Sequence, residues 1–139
     1  MGMNNFSRTV DLLHRALDAQ TIRRDVLANN LANSEVPNFK RSELNFESEL
    51  KRALDSEKQK PLIELTRTDP RHISNWNPTD WREVKPRRVL DYVSTSKNNG
   101  NNVDAEQEVQ RLVENQLMYY LLSQSATFEF NQVNSVLRS

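Results

Sequence analysis

The 139-residue chain contains no cysteine. That absence excludes disulfides, thiolate metal sites and thiol nucleophiles. Glycine occurs only at Gly2 and Gly100, so turns fall to Asn, Asp, Pro and Ser, and a glycine-rich phosphate loop is ruled out. The two histidines, His14 and His72, lie far apart with no second His or Cys beside either to complete a zinc site. His14 reads as a helix-surface residue and His72, after Pro70-Arg71, as a hydrogen-bonding loop residue. Neither charge sign dominates, since 19 Lys and Arg balance 19 Asp and Glu, which argues against a polyanion or a membrane surface as main partner. No apolar run approaches the ~20 residues needed to span a bilayer. At the N-terminus Arg8, Asp11 and Arg15 interrupt any signal-peptide core, so export, where it happens, is expected without a cleaved signal. Only 36% of residues are hydrophobic and mean hydropathy is -0.80. Such a chain buries little core alone, and neighbours are expected to cover part of its apolar surface.

What is present is helical periodicity at both ends. Phe6, Val10, Leu13, Leu17, Leu27 and Leu31 follow heptad spacing, with Gln20 and Arg24 on the intervening seam positions. A helix over 5–33 would be roughly 40 Å long. Val109, Leu112, Gln116, Tyr119, Ser123, Ala126, Phe130, Val133 and Leu137 step by three and four along a second helix over 104–138. Asp104 and Gln107 have capping-box spacing at its start. Val113, Leu117 and Leu121 widen this stripe into a second apolar flank, which a two-helix hairpin cannot cover as well as the first. The expected fold is mainly α: one domain over 1–139, its long terminal helices paired as a coiled-coil-like hairpin. Polar residues on the seam can fix register and favour assembly.

The middle, 34–103, is expected to hold a short helix over Ser42–Leu54 and otherwise irregular or extended chain. Pro61, Pro70, Pro78 and Pro86 exclude a long helix there. Leu62–Thr66 and Arg88–Val93 read as extended pieces, and Asn98–Asn102 as a turn cluster. Arg82, Lys85, Arg87 and Arg88 with Trp76 and Trp81 form the densest basic patch, but Asp80, Glu83 and Asp91 share the stretch. A solvated loop or subunit contact is the better reading than a nucleic-acid site. Glu106 and Glu108 fall on different helix faces and cannot act as an acid–base pair. Neither an enzyme nor a cofactor is expected.

Asn29, Asn30 and Asn33 close the first helix, where Asn tolerates left-handed backbone. Pro37-Asn38 then suits a turn with Pro second and Asn third. The segment Ala28–Asn33 followed by Pro37, Phe39 and Lys40 resembles the signature of flagellar axial proteins. Asn45–Lys51, Leu65–Ile73 and the run Gly100, Asn101, Asn102, Val103, Asp104 extend the likeness towards the proximal rod family of the flagellar basal body, FlgB. Residues carrying it include Asn30, Asn33, Pro37, Phe39, Gly100, Asn101, Val103 and Asp104. Where the family pattern commonly has Thr-Pro-Gly, this chain has Val36-Pro37-Asn38.

The resemblance implies a structural rod subunit, oligomeric in the assembled rod, transmitting torque from the membrane ring towards the distal rod and hook. Its implied partners are copies of itself, other rod proteins, a rod-base adaptor, the membrane ring and the flagellar export apparatus. Its implied location is the periplasmic rod beside the inner membrane. Phe46 and Leu50 fit the aromatic-x-x-x-hydrophobic pattern the export apparatus is thought to read. The alternative is a soluble helical adaptor or chaperone that binds a partner helix through the same stripes.

Overall fold

A computed structural model describes residues 5–59, 69, 71, 77–94 and 97–138. Helix α1 spans Asn5–Ala32, strand β1 Ser42–Asn45, helix α2 Glu47–Lys58, strand β2 Arg87–Leu90 and helix α3 Ala105–Leu137, with a 3-10 turn at Trp81–Glu83 before β2. The strands pair in a two-stranded sheet. The extended piece at Leu62–Thr66 and the Leu65–Ile73 motif lie outside the described residues, except for Asp69 and Arg71 within the latter.

The chain divides into two compact units, Met1–Leu44 with Arg88–Ser139, and Asn45–Arg87. In the first unit α1 and α3 pack along each other. Phe6 meets Phe130 edge to face, with ring centroids 5.9 Å apart, Gln20 meets Asn115, and Asn30 meets Glu108. Early residues of one helix touch late residues of the other, so the pair is antiparallel. Helix α3 begins where the Asp104 carboxylate accepts hydrogen bonds from the backbone N–H groups of Glu106 and Gln107, satisfying donors the first helical turn leaves open. Buried Ala19, Val26, Leu27 and Val103 supply the apolar core of this unit. A Leu side chain as buried as Leu27 contributes about 1.5–3 kcal/mol.

The shielded line on α3 runs Ala105, Glu108, Leu112, Asn115, Leu122, Ala126, Glu129, Val133. It shares Leu112, Ala126 and Val133 with the spacing expected from sequence, while Val109, Gln116, Ser123, Phe130 and Leu137 are exposed. Alternate positions therefore sit one residue earlier than the apolar pattern indicates, because Glu108 and Asn115 occupy them. On α1, Arg24 is exposed and the adjacent Arg23 half-buried, a shift of the same kind.

In the second unit, Phe46, Ala53 and Trp81 are buried. Helix α2 carries Glu47 and Glu49 in its first turn and Lys58 in its last, charges that suit the helix dipole at each end. The Ser56 hydroxyl accepts from Thr79 N–H at 3.0 Å, and Asp80 accepts from Arg82 N–H at 2.9 Å to start the 3-10 turn. The expected helix over Ser42–Leu54 is corrected: Ser42–Asn45 is strand, and the helix starts at Glu47 and runs on to Lys58. Helix formation at Ser42 loses to two side-chain bonds that hold the backbone extended. Asn102 Oδ1 accepts from Arg41 N–H at 2.7 Å and Asn30 Oδ1 accepts from Ser42 N–H at 2.9 Å.

Candidate assembly interface

The closed end of the hairpin is fastened by polar groups. Helix α1 ends as Asn33 N–H turns to the carbonyls of Asn29 and Asn30. Phe39 N–H then bonds Val36 O across Pro37 and Asn38, whose φ of 60° is the left-handed conformation a type II turn needs at that position. Asn101, fully buried, reaches back with its amide nitrogen to the carbonyls of Asn33 at 2.9 Å and Val36 at 2.8 Å. Asn38 N–H bonds Asn99 O, and Lys40 Nζ bonds Gly100 O at 2.7 Å. The Asn-rich signature and the Gly100–Asp104 run, some sixty residues apart in sequence, thus form one clasp.

A buried charge cluster stands beside the clasp. Glu108 has no exposed surface and receives Arg41 Nε at 3.0 Å on one oxygen and Asn30 Nδ2 at 3.0 Å on the other. Arg41 Nη1 also donates to Glu43 at 2.7 Å and Asp91 at 3.0 Å. Burial works against the Arg41 charge, yet the hydrogen bonds to Glu43 and Asp91, then the charges of Glu108 and Glu43, outweigh it and raise its affinity for the proton. The Ser94 hydroxyl and backbone N–H, then Val93 N–H and Arg41, hold the Asp91 carboxyl well below the usual carboxylate range despite burial. Asn102 closes the circuit by donating to Asp91 O at 2.8 Å. Both Glu108 oxygens find donors, which is the condition for tolerating that buried charge, while Arg41 Nη2 and the Ser42 hydroxyl stay buried without a hydrogen-bond partner.

The other functional surface is what α3 leaves uncovered. Val109, Val113, Leu117, Tyr120, Leu121 and Phe128 are each about half exposed or more, on the side turned away from the shielded line. Such a stripe exceeds the singly scattered apolar residues of an ordinary surface. Of the residues expected on the seam, Leu27 is buried, Phe6, Val10, Leu13, Leu17, Leu31, Leu112, Ala126 and Val133 are half-buried, and Val109, Tyr119, Phe130 and Leu137 are exposed. The signature residues Asn30, Asn101 and Val103 are buried, Asn33, Phe39 and Gly100 half-buried, and Pro37 and Asp104 exposed. Phe46 is buried and Leu50 half-buried.

Trp81 is buried with the Arg82 guanidinium 5.1 Å from its ring centre, so this ring is not a free stacking platform. Residues 75 and 76 of the basic loop, and His72, lie outside the described residues. Among the described residues no cluster of three or more His, Cys, Asp or Glu is placed to hold a metal, and no helix is long and apolar enough to cross a membrane. Sequence reasoning missed Arg41, Glu108, Asn102 and Asn115. The available signal was the 3–4 spacing of Glu108 and Asn115 with Leu112 and Leu122.

A sequence profile described as "Flagella basal body rod protein" matches residues 12–40, the stretch that carries the end of α1 and the turn of the clasp. Flagellar basal body rod protein FlgB of Borreliella burgdorferi is 45% identical over 136 residues, covering 98% of this chain and 100% of the relative. The chain belongs to the FlgB family of flagellar basal body rod proteins. The FlgB protein of Bacillus subtilis is 33% identical over 97% of both chains, and that of Escherichia coli 28% identical over 89% of this chain and 88% of its own. As a FlgB-family member the chain is a structural subunit of the rod in the flagellar basal body, part of the bacterial motility apparatus.

Proposed function

We propose that the chain assembles into the proximal rod by laying the uncovered apolar face of α3 against neighbouring subunits, and that it has no enzymatic role. Its neighbours are copies of itself and other rod proteins, with the rod-base adaptor and the membrane ring below. The rod segment so formed stands in the periplasm beside the inner membrane and passes torque to the distal rod and hook. The observation that carries this reading is the stripe through Val113, Leu117 and Leu121, at 63%, 59% and 51% exposure, on a helix already paired along its other side. Water-exposed leucines in such a line are stabilised by a partner surface, and burying each contributes about 1.5–3 kcal/mol. The clasp complements this by holding α1 and α3 as one piece under load. Export precedes assembly, and Phe46 with Leu50 is the segment offered to the export apparatus. Phe46 is 2% exposed, so it is readable only before its own unit packs.

The test is mass spectrometry of detergent-stripped basal bodies from the source organism. The expected result is this chain in several copies alongside other rod proteins. Its absence from intact basal bodies, with abundant soluble protein in a small discrete complex, would favour an adaptor that binds a partner helix.

A further inference from the structure

The interface between α1 and α3 contains four nearly buried polar side chains where a helix pair normally places hydrocarbon. Gln20 is 6% exposed, Asn30 0%, Glu108 0% and Asn115 5%. They meet in two layers. Asn115 Nδ2 donates to Gln20 Oε1 at 2.7 Å and to Gln20 O at 3.1 Å, and Arg23 Nη1 donates to the same Oε1 at 3.1 Å. Asn30 Nδ2 donates to Glu108 Oε2 at 3.0 Å while the other Glu108 oxygen takes Arg41. The outer face of α3, with Val109, Val113, Leu117 and Leu121, is as apolar as the face α1 covers. On hydrophobic grounds alone, α1 has two faces of α3 to choose from and several registers on each.

We propose that the Gln20–Asn115 and Asn30–Glu108 layers are the specificity determinants of the hairpin, assigning α1 to one face and one register of α3 and leaving the other face free. The physical reason is the asymmetry of polar burial: a made hydrogen bond adds little net stability, whereas a buried amide with no partner is costly. Slid by one heptad, the pair would set Asn115 against Leu13 or Leu27 and leave its amide unmatched. Moved to the outer face at the same level, α1 would press Gln20 towards Leu117 and Asn30 towards Val109 and strand both amides. Buried polar residues on a helix seam fix register and partner in this way, at some cost in stability.

The chain has no cysteine of its own, so spin labels can be placed at Asp25→Cys and Gln132→Cys, both exposed positions. Dipolar distance measurement on the purified full chain should then give one narrow distance. A one-heptad slide shifts it by about 10 Å. In Q20L/N115L, helicity by circular dichroism should persist while the distance splits into two or more populations. The swapped variant Q20N/N115Q, which keeps an amide pair in the layer, should return the single native distance. The proposal is overturned if the parent chain shows several distances, or if Q20L/N115L keeps only the native one. It is overturned equally if Q20L/N115L loses its helices, since the layer would then be required for folding itself, or if the swapped variant shows several populations.

Discussion

Gly100 and Asn38 lie so close that a Cβ on Gly100 would stand 2.5 Å from Asn38 Oδ1, and both residues hold positive φ, 79° and 60°. The Asn38 side chain would have to turn aside for a Cβ at 100, and the positive φ there favours glycine whatever the space. Gly100→Ala meets a clash and an unfavourable backbone together and should cost about 1–3 kcal/mol. Asn38→Gly relieves strain at the other turn and should change stability by a few tenths of a kcal/mol. Thermal or urea unfolding of the two variants should rank them in that order, and equal midpoints would contradict the close fit.

Glu108 is the one carboxylate that joins Arg41 to Asn30, and it is fully buried. Glu108→Ala leaves the Arg41 guanidinium short of a partner and Asn30 Nδ2 with Ser42 O alone. Losing one member of a buried pair costs about 3–5 kcal/mol. Glu108→Gln keeps an acceptor in place and should lose less. A urea midpoint for Glu108→Ala close to that of the parent chain would show that the cluster is not under tension from burial.

Asp91 is held ionised in the folded chain by Ser94, Val93 and Arg41, so its folded proton affinity lies below that of the unfolded chain. The stability it adds is fully present above the unfolded value of about 3.9. It is lost as the pH falls from there through the lower folded value. Asp91→Asn removes the titrating group, so stability plotted against pH should be flatter below about pH 4 than in the parent chain. Parallel acid limbs for the two proteins would sink this assignment.

Leu117 and Leu27 separate assembly from folding. Leu117 is 59% exposed, so Leu117→Asp should shift the stability of the isolated subunit by no more than about 0.5 kcal/mol. It places a charge in the stripe assigned to neighbours and should abolish swimming and incorporation into basal bodies. Leu27 is 5% exposed, and Leu27→Asp should instead unfold the subunit. Motility assays with protein levels checked by immunoblot distinguish the two, and normal swimming with Leu117→Asp would remove the outer face from the interface.

The long helices were legible in the sequence because their apolar period is regular, and Asp104 announced the start of α3 by its capping chemistry. The turn at Pro37-Asn38 was legible for the same kind of local reason. The side of α3 that faces α1 was not. An apolar count steps from Leu112 to Gln116 or Val109, whereas Asn115 and Glu108 hold the inner positions through partners far away in sequence. Strand β1 was hidden likewise, since Ser42 is kept extended by Asn30 and by its pairing with β2, neither of which local propensity can register. Buried polar chemistry is nonlocal, and the errors gathered where it operates.

The hairpin is fastened differently at its two ends. Ions and amides grip the closed end through Arg41, Glu108 and Asn101, whereas at the open end the rings of Phe6 and Phe130 meet edge to face. Acid, by protonating the Asp91 carboxylate, loosens the first kind of grip, which its burial shields from salt, while cooling weakens the second. Within this unit the helix pair has a mineral end and an oily one, and a drop in pH or in temperature selects which gives way first.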